Sequence, residues 1–274
     1  MVARLRFARF GLAAMALAVA FTCGCSGAHP GAASRSHALA ASTSALAPSP
    51  GASAALVTVP DVVGQGYSQK AQPAVAFANL MTAYRLEHSP AVVAGSVISE
   101  NPAAGSRVQA QTTVTLVVSI GPANIPGAQP CQAARLSVQP GQPVSEATGQ
   151  HTRDWSLTNL GAPCVLDGYP AVSALDQAGH VLGYSYTHAG DQMTTGALPQ
   201  PVYLPTGSAA WIRMNKYRCD SAVADTTTTF QMSLPAGGGT LDIPASLEYC
   251  TEAPSLTIAV SPFEPAEVLL YPDL

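Results

Sequence analysis

The chain has 274 residues, enough for one large or two modest domains, and is 47% apolar with only 10% charged residues. Its formal net charge is −4, and no basic run occurs after the first nine positions, which excludes the electrostatic footprint of a nucleic-acid-binding protein. Gly and Pro, 23 of each, favour turns, linkers and short strands over long helices.

Arg4, Arg6 and Arg9 precede an uncharged apolar run from Phe10 to Thr22. At about 13 residues this run is shorter than the roughly 20 a membrane-spanning helix needs. Residues 1–24 therefore read as a secretory signal. The stretch Thr22-Cys23-Gly24-Cys25-Ser26-Gly27 resembles the lipobox of bacterial lipoproteins, in which a small residue precedes a Cys that is lipidated and becomes the new N-terminus. Gly24 before Cys25 fits better than Thr22 before Cys23. Cleavage before Cys25 also leaves Cys131, Cys164, Cys219 and Cys250, an even set able to pair. Diacylglycerol on Cys25 would supply the two acyl chains that stable anchoring takes. The alternative is an ordinary secreted protein.

From Cys25 to Leu56 the chain is nearly all Ala, Ser, Gly and Pro. Such a composition cannot bury enough apolar surface to offset its conformational entropy, so 25–56 reads as a lipid-anchored disordered linker. Its mean reach is roughly 30 Å, enough to carry a domain off the membrane face.

The next unit, residues 57–122, opens with the β-branched run Val57-Thr58-Val59, stopped at Pro60 and Gly64. Apolar residues at Val75, Leu80, Met81 and Tyr84 among good helix formers predict a helix over Ala74–Leu86, with Pro73 at a tolerated position. Ser96–Ser99 and the β-rich run Thr112–Ser119 predict two strands, separated by the turn Asn101–Ser106. The expected order is strand, helix, strand, strand.

Four motifs, Val59-Pro60-Asp61-Val62, Gly95-Ser96-Val97-Ile98, Asn101-Pro102-Ala103-Ala104-Gly105 and Val114–Pro122, together resemble the PASTA domain in order and spacing. The resemblance implies an α+β unit with one helix on a three-stranded sheet. PASTA domains occur as tandem extracellular repeats on bacterial Ser/Thr kinases and penicillin-binding proteins, and some bind peptidoglycan fragments. Here there is a single copy, and Gln72-Pro73 replaces the family's acidic, Ala-rich helix opening. The unit has three basic residues (Lys70, Arg85, Arg107) and three acidic ones (Asp61, Glu87, Glu100), so it exerts no long-range pull on an anionic polymer. Wall binding would rest on close contacts; the alternative is a spacer or protein-docking unit.

After a linker at 123–130, residues 131–274 read as an all-β sandwich. The candidate strands are Ala134–Val138, Thr152–Asn159, Ala171–Leu175, Val202–Leu204, Ala209–Met214, Thr226–Leu234, Gly239–Ile243 and Ser255–Val260, separated by Gly- and Pro-bearing turns. Trp155 and Leu157 alternate onto one face, the expected core, and Trp211 with Ile212 is assigned to the opposing sheet. Cys131, Cys164, Cys219 and Cys250 lack the C-x-x-C spacing of a zinc or redox site, so two disulfides are expected. Of three possible connectivities, Cys131–Cys164 with Cys219–Cys250 is favoured.

The segments Trp155-Ser156-Leu157-Thr158-Asn159 and Cys164-Val165-Leu166-Asp167-Gly168-Tyr169-Pro170, with Cys131 ahead of them, are similar to an actinobacterial secreted and lipoprotein domain of unknown function. That resemblance implies a β-sandwich in a cell envelope and implies no activity.

The sequence contains no G-x-S-x-G, P-loop, G-x-G-x-x-G or H-E-x-x-H motif. His180, His188 and Asp191, with Asp176 nearby, could be drawn as a triad or metal site, but their spacing fits solvated loop residues better. Arg213, Lys216 and Arg218 form a basic cluster beside Tyr217 and Cys219, read as a solvated rim with docking of an anionic polymer or a partner's carboxylates as the alternative. No catalytic residue, metal or cofactor is called for. The expected protein is a non-enzymatic envelope lipoprotein on the outer face of the cytoplasmic membrane or in the cell wall, its partners peptidoglycan or muropeptide, the membrane through its anchor, and an envelope protein. The alternatives are a docking subunit of a kinase or wall-synthesis complex, and a hydrolase acting on the wall.

Overall fold

In the computed structural model, residues 55–141, 144, 149–220 and 222–272 are described; the leader, Cys25 and most of the Ala/Ser/Pro linker lie outside them. The N-terminal module begins with β1 (Leu56–Thr58). A π-helical turn (Tyr67–Ala71) runs into α1 (Gln72–Phe77), and β2 (Met81–Glu87), β3 (Val97–Asn101), β4 (Arg107–Gln109) and β5 (Thr113–Ser119) follow. β5 is central, with β2 parallel on one side and β3 antiparallel on the other, while β1 and β4 form a separate antiparallel ribbon.

The helix expected over Ala74–Leu86 starts earlier and ends at Phe77. Its end is set by Asn79, in the left-handed region at φ 59°. The Leu80 N–H bonds the Val75 carbonyl and the Asn79 N–H bonds the Ala76 carbonyl, the paired pattern that closes a helix around a left-handed residue. Leu80 then folds back beside Val75 in the module's core. Released from the helix, Met81–Glu87 pairs with β5, whose Val114, Leu116 and Val118 are fully buried on the same core.

The C-terminal domain is built of β6 (Gln129–Pro130), β7 (Leu136–Pro140), β8 (Gln150–Asn159), β9 (Cys164–Leu166), β10 (Ala171–Leu175), β11 (Ser185–Thr187), β12 (Val202–Leu204), β13 (Ala209–Tyr217), β14 (Asp225–Ser233), β15 (Thr240–Tyr249) and β16 (Thr257–Val260). They form a five-stranded sheet in the order β11-β16-β13-β8-β7 and two three-stranded sheets, β10-β14-β15 and β12-β9-β6. The short strands β6, β9 and β11 were not among the expected ones; at two or three residues they are too brief for an alternation to register.

One core joins the three sheets. Trp155, Leu157, Ile212, Met214 and Ile258 come from the five-stranded sheet, Phe230, Met232 and Ile243 from the second, and Leu166 and Leu204 from the third. Each such side chain is worth about 1.5–3 kcal/mol when fully buried. Trp155 meets Phe230 edge to face at 5.9 Å, linking two sheets through their largest side chains. Trp211 and Ile212 lie in the same sheet as Trp155, not the opposing one: Ile212 is the direct neighbour of Trp155 across the β13–β8 ladder. Ile212 enters the core, and Trp211, one residue earlier, is turned to the other face.

Disulfides Cys131–Cys164 and Cys219–Cys250 span 33 and 31 residues. By the chain-entropy account each contributes about 3–4 kcal/mol. The Pro235–Gly239 turn packs against the first of them. A Cβ on Gly238 would lie 2.3 Å from the Cys131 carbonyl oxygen, so this position requires glycine.

The chain beyond β16 continues beside β13 as far as Glu264 and then turns over the outer face of the five-stranded sheet as a strap, its Tyr271 ring on Arg213. Trp211 and Glu264 exchange backbone hydrogen bonds of 2.7 and 2.9 Å, and the Thr195 N–H bonds the Leu270 carbonyl at 2.9 Å. The strap then reaches the N-terminal module, where Val268 packs against the core around Tyr67 and Val75. The module and the β-rich domain accordingly form one compact unit.

Candidate functional site

The basic cluster expected at Arg213, Lys216 and Arg218 does not exist as a surface. Alternation along β13 sends Arg213 and Lys216 to opposite faces of the sheet, and both are buried at 0% and 1% exposure. Arg213 grips Asp154 with two hydrogen bonds, Nε to Oδ1 at 2.6 Å and Nη2 to Oδ2 at 2.7 Å. Its Nη1 donates to the Met193 carbonyl at 2.7 Å, and the Tyr271 ring lies 4.0 Å from the guanidinium carbon. Burial alone would lower the Arg213 pKa, but Asp154 outweighs it and holds the group above its ordinary value.

Lys216 points toward the core, and its Nζ is buried without a hydrogen-bond partner among the described residues. Burial pushes its ammonium pKa down, against the opposing pull of Glu248 and Glu252. Glu248 accepts hydrogen bonds from the Cys219 N–H and, at 3.3 Å, from His151 Nε2. The Cys219 N–H is the main cause of a carboxyl held below its usual range. Arg218 alone is solvated, its side chain 65% exposed and 4.0 Å from Asp220.

The residues considered for a triad are held in three separate arrangements. His180 Nδ1 lies 3.1 Å from Asp176 Oδ2 within one exposed turn. His188 contacts the Val260 carbonyl through Nδ1 at 3.1 Å and stacks on Tyr169 with centroids 3.9 Å apart. Asp191 Oδ1 accepts from the Met193 and Thr194 N–H groups, and its Oδ2 from Asn215 Nδ2 at 2.7 Å. Each is absorbed by local structure.

What sequence reasoning missed is a buried polar layer. Gln150, Thr152 and Asp154 on β8 face Asn215 and Arg213 on β13, beneath the Asp191–Thr195 loop and the strap. Thr152 Oγ1 donates to Asn215 Oδ1 at 2.7 Å, and Asn215 Nδ2 donates to Gln150 Oε1 at 2.8 Å. The available signal was the alternation itself, since a polar face on two long neighbouring strands can be covered by other chain as well as by water.

Several concavities open among the described residues, and a tryptophan lines two of them. A crevice of about 630 Å³ lies between the five-stranded sheet and β15, which bulges opposite Thr228. Its lining includes Trp155, Phe230, Ala245, Leu247 and Arg153, a mainly apolar surface within the size range of small-molecule sites. A smaller cleft of about 190 Å³ lies where the strap meets the N-terminal module, between Tyr67–Gln69, Ser96, Trp211 and Glu267. Among the described residues no helix is long and apolar enough to cross a membrane.

Two family models match the chain in succession, the PASTA domain over residues 57–120 and a domain of unknown function, DUF4232, over residues 131–264. The chain thus carries a PASTA domain followed by a DUF4232 domain. Among solved structures it matches the entire extracellular region of the Ser/Thr kinase PrkC from Staphylococcus aureus, at 15% identity and a TM-score of 0.24. That match covers 71% of this chain and 51% of the other, so the chain spans about half the length of that region. No curated protein matches.

Proposed function

We propose that this chain, a PASTA domain joined to a DUF4232 domain, is a non-enzymatic envelope lipoprotein that binds peptidoglycan or muropeptides through its PASTA domain. In this reading lipidated Cys25 holds the protein at the outer face of the cytoplasmic membrane, and the linker lets it reach the cell wall. The β-rich domain, arranged as a sandwich, serves as a second binding module whose ligand occupies the crevice beside Trp155. The observation that carries the reading is the PASTA domain itself, matched over residues 57–120 and folded on its own core. The two disulfides support export, because such bonds persist in oxidising compartments. His180, His188 and Asp191 are each engaged locally, which supports binding over chemistry.

Docking to a kinase or wall-synthesis complex is a second reading, favoured by Phe77, 92% exposed, with Met81 and Tyr84 beside it in sequence at 52% and 45%. Sedimentation with purified sacculi separates the two. Pelleting of the full chain that persists in moderate salt supports wall binding, since an uncharged contact should resist screening. Protein remaining in the supernatant under every condition shifts the weight to protein partners.

A further inference from the structure

The cleft between the PASTA domain and the strap has a lining that neither domain supplies alone. Ser68, Gln69 and Ser96 come from the PASTA domain, Trp211 from β13, and Glu267 from the strap. Trp211 is only half-buried although it lies in a long central strand, and the backbone bonds to Glu264 on both its N–H and its carbonyl fix its position. Glu267 is 7% exposed. A carboxylate in such a place is costly to bury unless polar groups meet it. Glu267 does interact with other residues, and a carboxylate offers about four acceptor sites, so further donors can be met. Gly95, at φ +81°, and Ala266 meet in the lining between the two domains.

We infer that this cleft is a binding site for one neutral pyranose unit of a glycan, the Trp211 indole packing on the ring and Glu267, Gln69 and the two serines hydrogen-bonding its hydroxyls. This rests on the wall-binding reading and assigns the glycan, rather than the peptide, to this cleft. The half-exposed indole supplies an apolar face with a polar edge. The volume of about 190 Å³ admits a single ring while the rest of a polymer lies outside. The charge of the lining decides between the parts of the wall. Its ionisable carboxyl, Glu267, opposes the free carboxylates of a stem peptide but accepts the O–H and N–H donors of an N-acetylhexosamine. With the two domains contributing to one site, ligand binding also holds them together.

The chain has two tryptophans, Trp155 in the core and Trp211 at the cleft. Protein labelled with 5-fluorotryptophan therefore gives two fluorine resonances, assigned with Trp211→Phe. Titration with tetra-N-acetylchitotetraose is expected to shift the Trp211 resonance saturably and leave that of Trp155 in place. Ser68→Tyr, which fills the cleft from the PASTA side, is expected to weaken binding about tenfold or more, with the Trp155 resonance unmoved as proof of folding. A Trp211 resonance that ignores the tetrasaccharide while the protein still pellets with sacculi overturns the cleft and leaves the wall reading standing. A response instead to a synthetic L-Ala-D-isoglutamine stem peptide overturns the assignment to a sugar. Failure of both titration and pelleting overturns the cleft and the wall reading together.

Discussion

Arg213 and Asp154, 59 residues apart in sequence, are directly opposite on β13 and β8, with both side chains at 0% exposure and two short hydrogen bonds between them. The pair holds more than the sheet. Through the Met193 carbonyl and the Tyr271 ring it also secures the Asp191–Thr195 loop and the strap.

Removing one partner should therefore cost far more than removing both. Asp154→Ala leaves a buried guanidinium without its counter-charge, and a loss of about 3–5 kcal/mol in urea unfolding is expected. The double variant Asp154→Leu with Arg213→Met should recover most of that loss. Equal losses in single and double variants would show that the fold depends on the side chains' shape and not on their charge.

Lys216 is the opposite case, a buried cation whose Nζ has no hydrogen-bond partner among the described residues. Its folded pKa is lowered chiefly by burial. The folded state thus disfavours the charged form, and the penalty is full below the folded pKa and vanishes above the unfolded one, about 10.4. Lys216→Met should raise stability by about 1–3 kcal/mol at pH 7, with the gain shrinking as pH rises toward 10. Urea melts at both pH values measure this; a destabilised variant would mean that the amine makes a stabilising contact.

Two glutamates should respond to acid in opposite senses. The Glu248 carboxyl is held low by the Cys219 N–H, so its stabilising contribution is present above the unfolded pKa and lost as pH falls through the folded one. Burial pushes the Glu100 carboxyl up, and both its oxygens are shut from solvent, so ionisation there opposes folding above its unfolded pKa. Glu248→Gln should destabilise by about 1–2 kcal/mol at pH 7 and be neutral near pH 2. Glu100→Gln should stabilise at pH 7 and likewise lose its effect in acid. Melting temperatures across pH 2–7 read both signs.

Much of the architecture was legible because it is written in local alternation. β10 and β12 follow from short, mostly apolar segments between turn signals, and β8 from its Trp155/Leu157 face. The end of α1 was not legible, because Asn79 marks it where a glycine would have been plain, and apolar residues continue past it at a spacing that suits either element. The candidate sites were the least legible. Arg213, Lys216 and Arg218 look like one basic patch when read along the chain, and only a period of two, with Asp154 brought alongside by pairing, divides them between a buried ion pair, the core and the solvent. The strap's cover over β13 and its contact with the PASTA domain have no local signature at all, since they depend on where distant chain comes to rest.

The disulfide Cys131–Cys164 anchors both the Gly238 turn and the short strand β9. Cys131→Ala with Cys164→Ala should cost about 2–5 kcal/mol, lowering the melting temperature of the oxidised protein toward that of reduced wild type. A double variant that melts with oxidised wild type would show that the bond adds nothing to the native state.

The proposed function requires that Cys25 be the lipid anchor that holds both domains outside the cell, and intact-mass spectrometry of the protein extracted from cell membranes tests this directly. A polypeptide beginning at Cys25 and carrying a diacylglycerol thioether is the predicted species. A chain that retains residues 1–24, or that begins elsewhere with Cys25 unmodified, would contradict it.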